Sequence, residues 1–232
     1  MMNFFKVKEP LLRFKQPELD VQDLCGLLRL KWQIGAFKLR SNFYTRIDQA
    51  FALWGIISII IFATAQFLPI NWTTQAWWWS ILTMVGIVLT IVLTDFWAKV
   101  ERLLWVVYLW VGLMILALAI TDLAIFQGWP AILINLCPLW LGITAIGYLG
   151  TGIGLQSRIL FIIGIVQLLG IVILPYLISW QFLITGTIMG GSLLILAEFQ
   201  WDMRPPIIEA RLTEEQKQFN LKQYNLRRSN RS

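Results

Sequence analysis

QAFALWGIISIIIFATAQFLPINWTTQAWWWSILTMVGIVLTIVLT, residues 49–94, runs without one charged side chain. A membrane-crossing helix needs about 20 apolar residues, at 1.5 Å each, to cover about 30 Å of hydrocarbon. The stretch is too long for one span and about right for two. A break lies inside it at Pro69-Ile70-Asn71-Trp72, where proline stops a helix and an indole favours the membrane boundary.

Two further windows repeat the pattern. Residues 103–157 carry a single charge, Asp122, and residues 159–197 carry none. Each again holds a Pro/Trp break, at Gly128-Trp129-Pro130 and between Pro175 and Trp180. The expected fold is therefore an all-α membrane helix bundle. Six transmembrane helices near 50–68, 77–96, 103–126, 131–149, 159–176 and 182–199 form three hairpins, within a membrane domain spanning 48–199. Composition agrees: 58% of the 232 residues are hydrophobic and 14% charged, against about 25% charged in a soluble domain.

Orientation follows from the basic residues. Nine precede the first span, Lys99 and Arg102 follow the second, Arg158 follows the fourth, and seven follow the sixth, making all 19. The three intervening turns hold none. Positively charged loops stay cytoplasmic, which predicts both termini inside. The opening MMNFFKVKEP lacks the apolar run of a cleaved signal peptide. A bacterial inner (plasma) membrane is the expected location, with a thylakoid membrane as the alternative.

Two polar segments flank the spans. Within 1–47, Val21, Leu24, Cys25, Leu28, Trp32, Ala36 and Leu39 recur at helical spacing, predicting an amphipathic helix over 20–40. Trp32, Arg29, Lys38 and Arg40 would contact the membrane surface, or the same stripe would dock a partner protein. In 200–232, Arg204-Pro205-Pro206 stops the sixth helix, and Thr213 to Gln216 forms a capping box opening a short helix over 213–226. The basic end beyond it reads as a solvated tail.

Chemistry is sparse. The chain has no histidine, which removes His-ligated haem, His-containing zinc sites and imidazole bases together. Cys25 and Cys137 fall on opposite sides of the predicted membrane, too far apart to pair. Gly150-Thr151-Gly152-Ile153-Gly154 is read as a flexible cytoplasmic loop, because it follows a membrane helix and lacks the Lys-Ser/Thr of a phosphate loop. No catalytic, metal or cofactor-binding residues are identified, and no cofactor is expected.

Four polar residues in the spans remain. Asp122 lies about five residues from the outer end of the third span, with Gln66 and Asn135 expected at similar depth. Together they would line a small outward-facing cation site, unless Asp122 only reaches the interface. Gln167 sits halfway along the fifth span, where an amide needs a partner; Thr144, Thr185 and Thr187 are the candidates. Gly186, Gly190 and Gly191 would let the sixth helix approach a neighbour closely.

Glycines at 55, 112 and 164 in the outgoing helices, a proline at each exit, and glycines at 86, 142, 147, 186 and 190 in the returning ones form a three-hairpin pattern. Over residues 50–199 it resembles the HdeD-type acid-resistance membrane proteins. The resemblance implies six spans, a stress-linked role and no established catalytic site. The reading that accounts for most features is a non-enzymatic subunit or assembly factor of a membrane complex. Its partners are the lipid bilayer and a membrane protein or a second copy of the chain, not nucleic acid. The alternative is a small transporter or channel for a cation or small solute, with Asp122 in its site.

Overall fold

In the computed structural model of the chain, residues 10–30, 33–34, 37–38, 42–204 and 211–229 are described. Six helices among them are long and apolar enough to cross a membrane. They are α2 (Arg46–Phe67), α3 (Trp72–Val100), α4 (Leu104–Gln127), α6 (Leu136–Leu155), α7 (Arg158–Ile173) and α8 (Gln181–Glu198). Short α5 (Pro130–Leu133) precedes α6, and 3-10 turns at Leu174–Tyr176 and Ile178–Trp180 join α7 to α8. The protein is an integral membrane helix bundle.

Sequence sets the ends of these helices. Thr45 opens α2 with a capping box, its hydroxyl accepting from the Asp48 amide while the Asp48 carboxylate accepts from the Thr45 amide. Asn71 caps α3 by accepting from the Thr74 amide. Gly128 ends α4 at φ +64°, a left-handed conformation that costs glycine little. The predicted fourth span moves from 131–149 to 136–155, because Pro130 starts a separate turn of helix that breaks at Ile134.

That shift corrects the reading of the glycine-rich segment. Residues 150–154 are helical, and their glycines are contact points instead of hinges. A Cβ at Gly147, Gly150 or Gly154 would collide with Trp110, Leu109 or Trp105 of α4, and one at Gly152 would meet the backbone of Phe161 on α7. These glycines bring α6 close to both neighbours. It is the central helix: 61% of its apolar window is buried, against 28–33% in the other five spans.

The remaining packing follows a ring. α2 packs most extensively on α8, α3 joins α2 to α4, α4 packs on α6, and α7 lies behind α6. One core cluster, around Trp97, Tyr148, Leu160 and Leu196, lies toward the face that carries the basic links; another, around Phe62, Cys137, Leu141 and Met189, lies toward the Pro/Trp turns.

The flanking segments differ from expectation. Among the described residues of the predicted 20–40 helix, only Val21–Leu24 (α1) is helical. Gly26, at φ +71°, turns the chain, and β2 (Leu28–Leu30) then pairs antiparallel with β5 (Asn42–Tyr44). Between them, β3 (Gln33–Ile34) pairs with β4 (Phe37–Lys38). Strand pairing supplies long-range backbone hydrogen bonds that a helical reading of the local pattern does not contain. Residues 31–32, 35–36 and 39–41 of that prediction, with Trp32 and Arg40, lie outside the described residues.

The C-terminal segment forms α9 (Glu214–Ser229), which ends three residues beyond the predicted 226. Its capping box is present: the Thr213 amide donates to Gln216 Oε1 at 3.0 Å, and the Gln216 amide donates to Thr213 Oγ1 at 3.3 Å. α8 ends at Glu198, ahead of the prolines, because β6 (Gln200–Trp201) leaves it to pair with β1 (Leu12–Arg13). The two ends of the chain thus share a small sheet.

Candidate functional site

The polar residues of the spans are placed separately, and no hydrogen bond joins any two of Asp122, Gln66, Asn135 and Gln167. Asp122 Oδ2 accepts from Ser80 Oγ of α3 at 2.8 Å, while its buried Oδ1 has no partner. Gln66 ties the end of α2 to the α7–α8 link, donating to the Ser179 carbonyl at 2.9 Å and accepting from the Leu183 amide at 3.3 Å. Asn135 is exposed at the start of α6 and donates to the Ala131 carbonyl. Local backbone groups at helix ends take these amides before they can converge.

Gln167 is different. It is fully buried, and both its amide atoms lack a partner. The threonines expected to serve it do not: Thr144, Thr185 and Thr187 each donate to a carbonyl one turn back on their own helix. Gly186 and Gly190 lie against α2, where a Cβ on Gly190 would meet Ile59 at 2.6 Å and the Gly55 carbonyl at 2.9 Å. Gly191 faces open space.

A regular device links the two helices within the first and second hairpins. Trp54 of α2 donates its indole N–H to Thr90 Oγ1 of α3 at 2.7 Å, Trp110 of α4 to Thr151 of α6 at 2.9 Å, and Trp140 of α6 to Thr121 of α4 at 3.1 Å. Thr90 and Thr151 pass their own protons to Gly86 and Gly147 carbonyls. An indole in hydrocarbon needs an acceptor, and a threonine already bonded to its helix offers a spare lone pair.

These tryptophans wall a cavity of about 150 Å³ enclosed by α2, α3, α4, α6 and α8. Its lining runs from Ile47 to Phe62 on α2, about 22 Å of helix, and from Leu136 to Leu155 on α6, about 28 Å. Ten aromatic rings line it, including Trp54, Trp79, Trp97, Trp110, Trp140 and Trp201, and no carboxylate or cation does. Tyr148, 2% exposed and stacked edge-on to Trp110 at 5.3 Å, is among the lining residues, and its hydroxyl has no partner.

Below the bundle, on the basic face, the terminal segments and the helix links build a buried charged cluster. Asp202 accepts from Ser157 Oγ and from the amides of Arg158 and Ile159 at the start of α7, and pairs with Arg158 Nε at 2.8 Å. A carboxylate there complements the positive end of the helix. Arg227 of α9 is buried and clamps Asp20 through two bonds of 2.9 and 3.0 Å, and Asn220 bonds Gln22 and the Val21 amide. Lys15 pairs with Asp48 at 2.8 Å above the Tyr44 ring. Of the basic end read as a solvated tail, Arg227 is docked on Asp20.

Glu101, 1% exposed at the end of α3, accepts from Gln22 Nε2 at 3.0 Å, with Arg204 3.7 Å away. Burial raises its carboxyl above the ordinary range, against the pull of Arg204. Burial likewise raises Asp20 in spite of Arg227. Asp23 is pushed up to about 7, by burial first and by the nearby Asp20 charge second. Neither the cavity nor this cluster carries a local motif. Their only trace in the sequence is Trp and Thr recurring in the paired spans. The chain matches no family model, no curated protein and no solved structure.

Proposed function

We propose that the protein is a non-enzymatic component of a larger membrane complex, a subunit or assembly factor, with both termini on the cytoplasmic side of a bacterial inner membrane. The observation that carries this reading is the clasp between the two ends of the chain. α1, β1, β6 and α9 pack together and present a preformed polar platform fixed to α3 and α7, which suits docking. The one-sided distribution of the 19 basic residues supports the orientation.

The interior supports the same reading against its alternative. A cation pathway needs polar groups in series across the bundle. Asp122, Gln66 and Asn135 each turn to a different local partner, and no charged group lines the central cavity.

The test is to tag the full chain, extract it in mild detergent and identify what co-migrates on a native gel. One defined larger complex, weakened when Arg227→Glu opens the clasp and unchanged by Asp122→Asn, is the expected result. Migration alone or as a homo-oligomer overturns the reading and moves attention to ion flux with Asp122→Asn.

A further inference from the structure

We infer that the central cavity is a binding site for one long apolar chain, the acyl or isoprenoid tail of a membrane lipid. The site goes beyond the subunit reading and stands or falls independently of it.

Shape comes first. The lining extends over most of the length of α2, α3 and α6, while the volume is only about 150 Å³. A space so long and so small is a slot, which suits a thin flexible chain better than a compact solute. The lining carries no charged group for an ion and leaves a water few partners. A buried water needs two to four polar partners. Here the hydroxyls of Thr90 and Thr151 each accept from an indole and donate to a backbone carbonyl, and Thr94 and Thr144 donate to carbonyls on their own helices. Apolar cavities of this size stay dry and take up apolar guests. In a bilayer the guest at highest concentration is a hydrocarbon chain.

Ser58 and Ala50, small residues of α2 in the lining, leave part of the space open.

The test uses the full chain, purified and washed in detergent, then incubated with egg phosphatidylcholine or with a short-tailed isoprenoid quinone and examined by native mass spectrometry. One molecule per chain should survive activation that strips surface lipid. Its mass identifies the source, phospholipid or quinone. Ser58→Leu and Ala50→Leu, which fill the slot at two levels, should each lower retention at least tenfold. Retention of neither probe by the wild type overturns the proposal, as does equal retention by whichever filled variant keeps the wild-type unfolding profile. The native-gel partner test reads a different face of the molecule and is unaffected by either result.

Discussion

Replacing Gln167 with leucine should stabilise the protein. The residue is fully buried on the α7 face that also carries Leu160, Ile163 and Gly164, and both its amide nitrogen and its amide oxygen lack a partner. A buried polar atom left unsatisfied costs about 1–3 kcal/mol in proteins. Two such atoms set an upper figure of about 6 kcal/mol. In a bilayer the unfolded reference is itself poorly hydrated, and hydrogen-bond differences shrink to about 0.6 kcal/mol on average. Leucine fills a similar volume, so the expected gain is about 1–3 kcal/mol. Gln167→Ala removes the amide but leaves a void, and should fall about 2 kcal/mol below the leucine variant. Reversible unfolding in bicelles by titrated SDS measures both. A loss of 1 kcal/mol or more in Gln167→Leu would refute the reasoning and mean that the amide is partnered in the membrane.

Other predictions test the packing and the clasp. Gly190→Ala should cost about 1–3 kcal/mol, because its Cβ meets Ile59 and the Gly55 backbone and must spread α2 from α8, whereas Gly191→Ala should change the same melting curve hardly at all. Asp202→Ala removes the carboxylate that Ser157, the Arg158 side chain and two helix-start amides share, and should cost about 3–5 kcal/mol by thermal unfolding, with Asp202→Asn intermediate. Asp23 is raised from an ordinary 3.8 to about 7, so the folded protein holds its proton more tightly than the unfolded chain. That contribution is full below pH 4 and is lost as pH rises through 7, amounting to at most about 4 kcal/mol. Unfolding measured from pH 4 to pH 8 should show this decline, flattened in Asp23→Asn; an unchanged slope in that variant would place the titration elsewhere, with Glu101 and Asp20 next in line.

The spans were legible because hydrocarbon imposes one crude rule on composition, and a single helix satisfies it alone. Pro69 and Pro175 mark breaks for equally local reasons, and the Thr213–Gln216 box needs only its own four residues. What the sequence concealed depends on distant partners. Leu28 pairs with Tyr44 across a segment whose apolar spacing imitates a helix, and Arg227 meets Asp20 across 207 positions. The pairing of Trp110 with Thr151 depends on the register between α4 and α6, which glycines at 147, 150 and 154 fix only once the two helices touch. Asp122, Gln66 and Asn135 stood out as polar residues in apolar surroundings, yet each found a different partner: Asp122 on α3, Gln66 in the α7–α8 link and Asn135 in its own link.

The pairing of β1 with β6 and of α1 with α9 also has a consequence in time. A ribosome adding about 5–20 residues per second needs on the order of 10–40 s between residue 12 and residue 201. Through that interval Leu12, Asp20 and Gln22 lack Trp201, Arg227 and Asn220, while the spans enter the membrane one after another. The segment that precedes the spans is therefore among the last to find its place: a chain stalled before β6 carries an unpaired β1, and one stalled before α9 carries an Asp20 without Arg227.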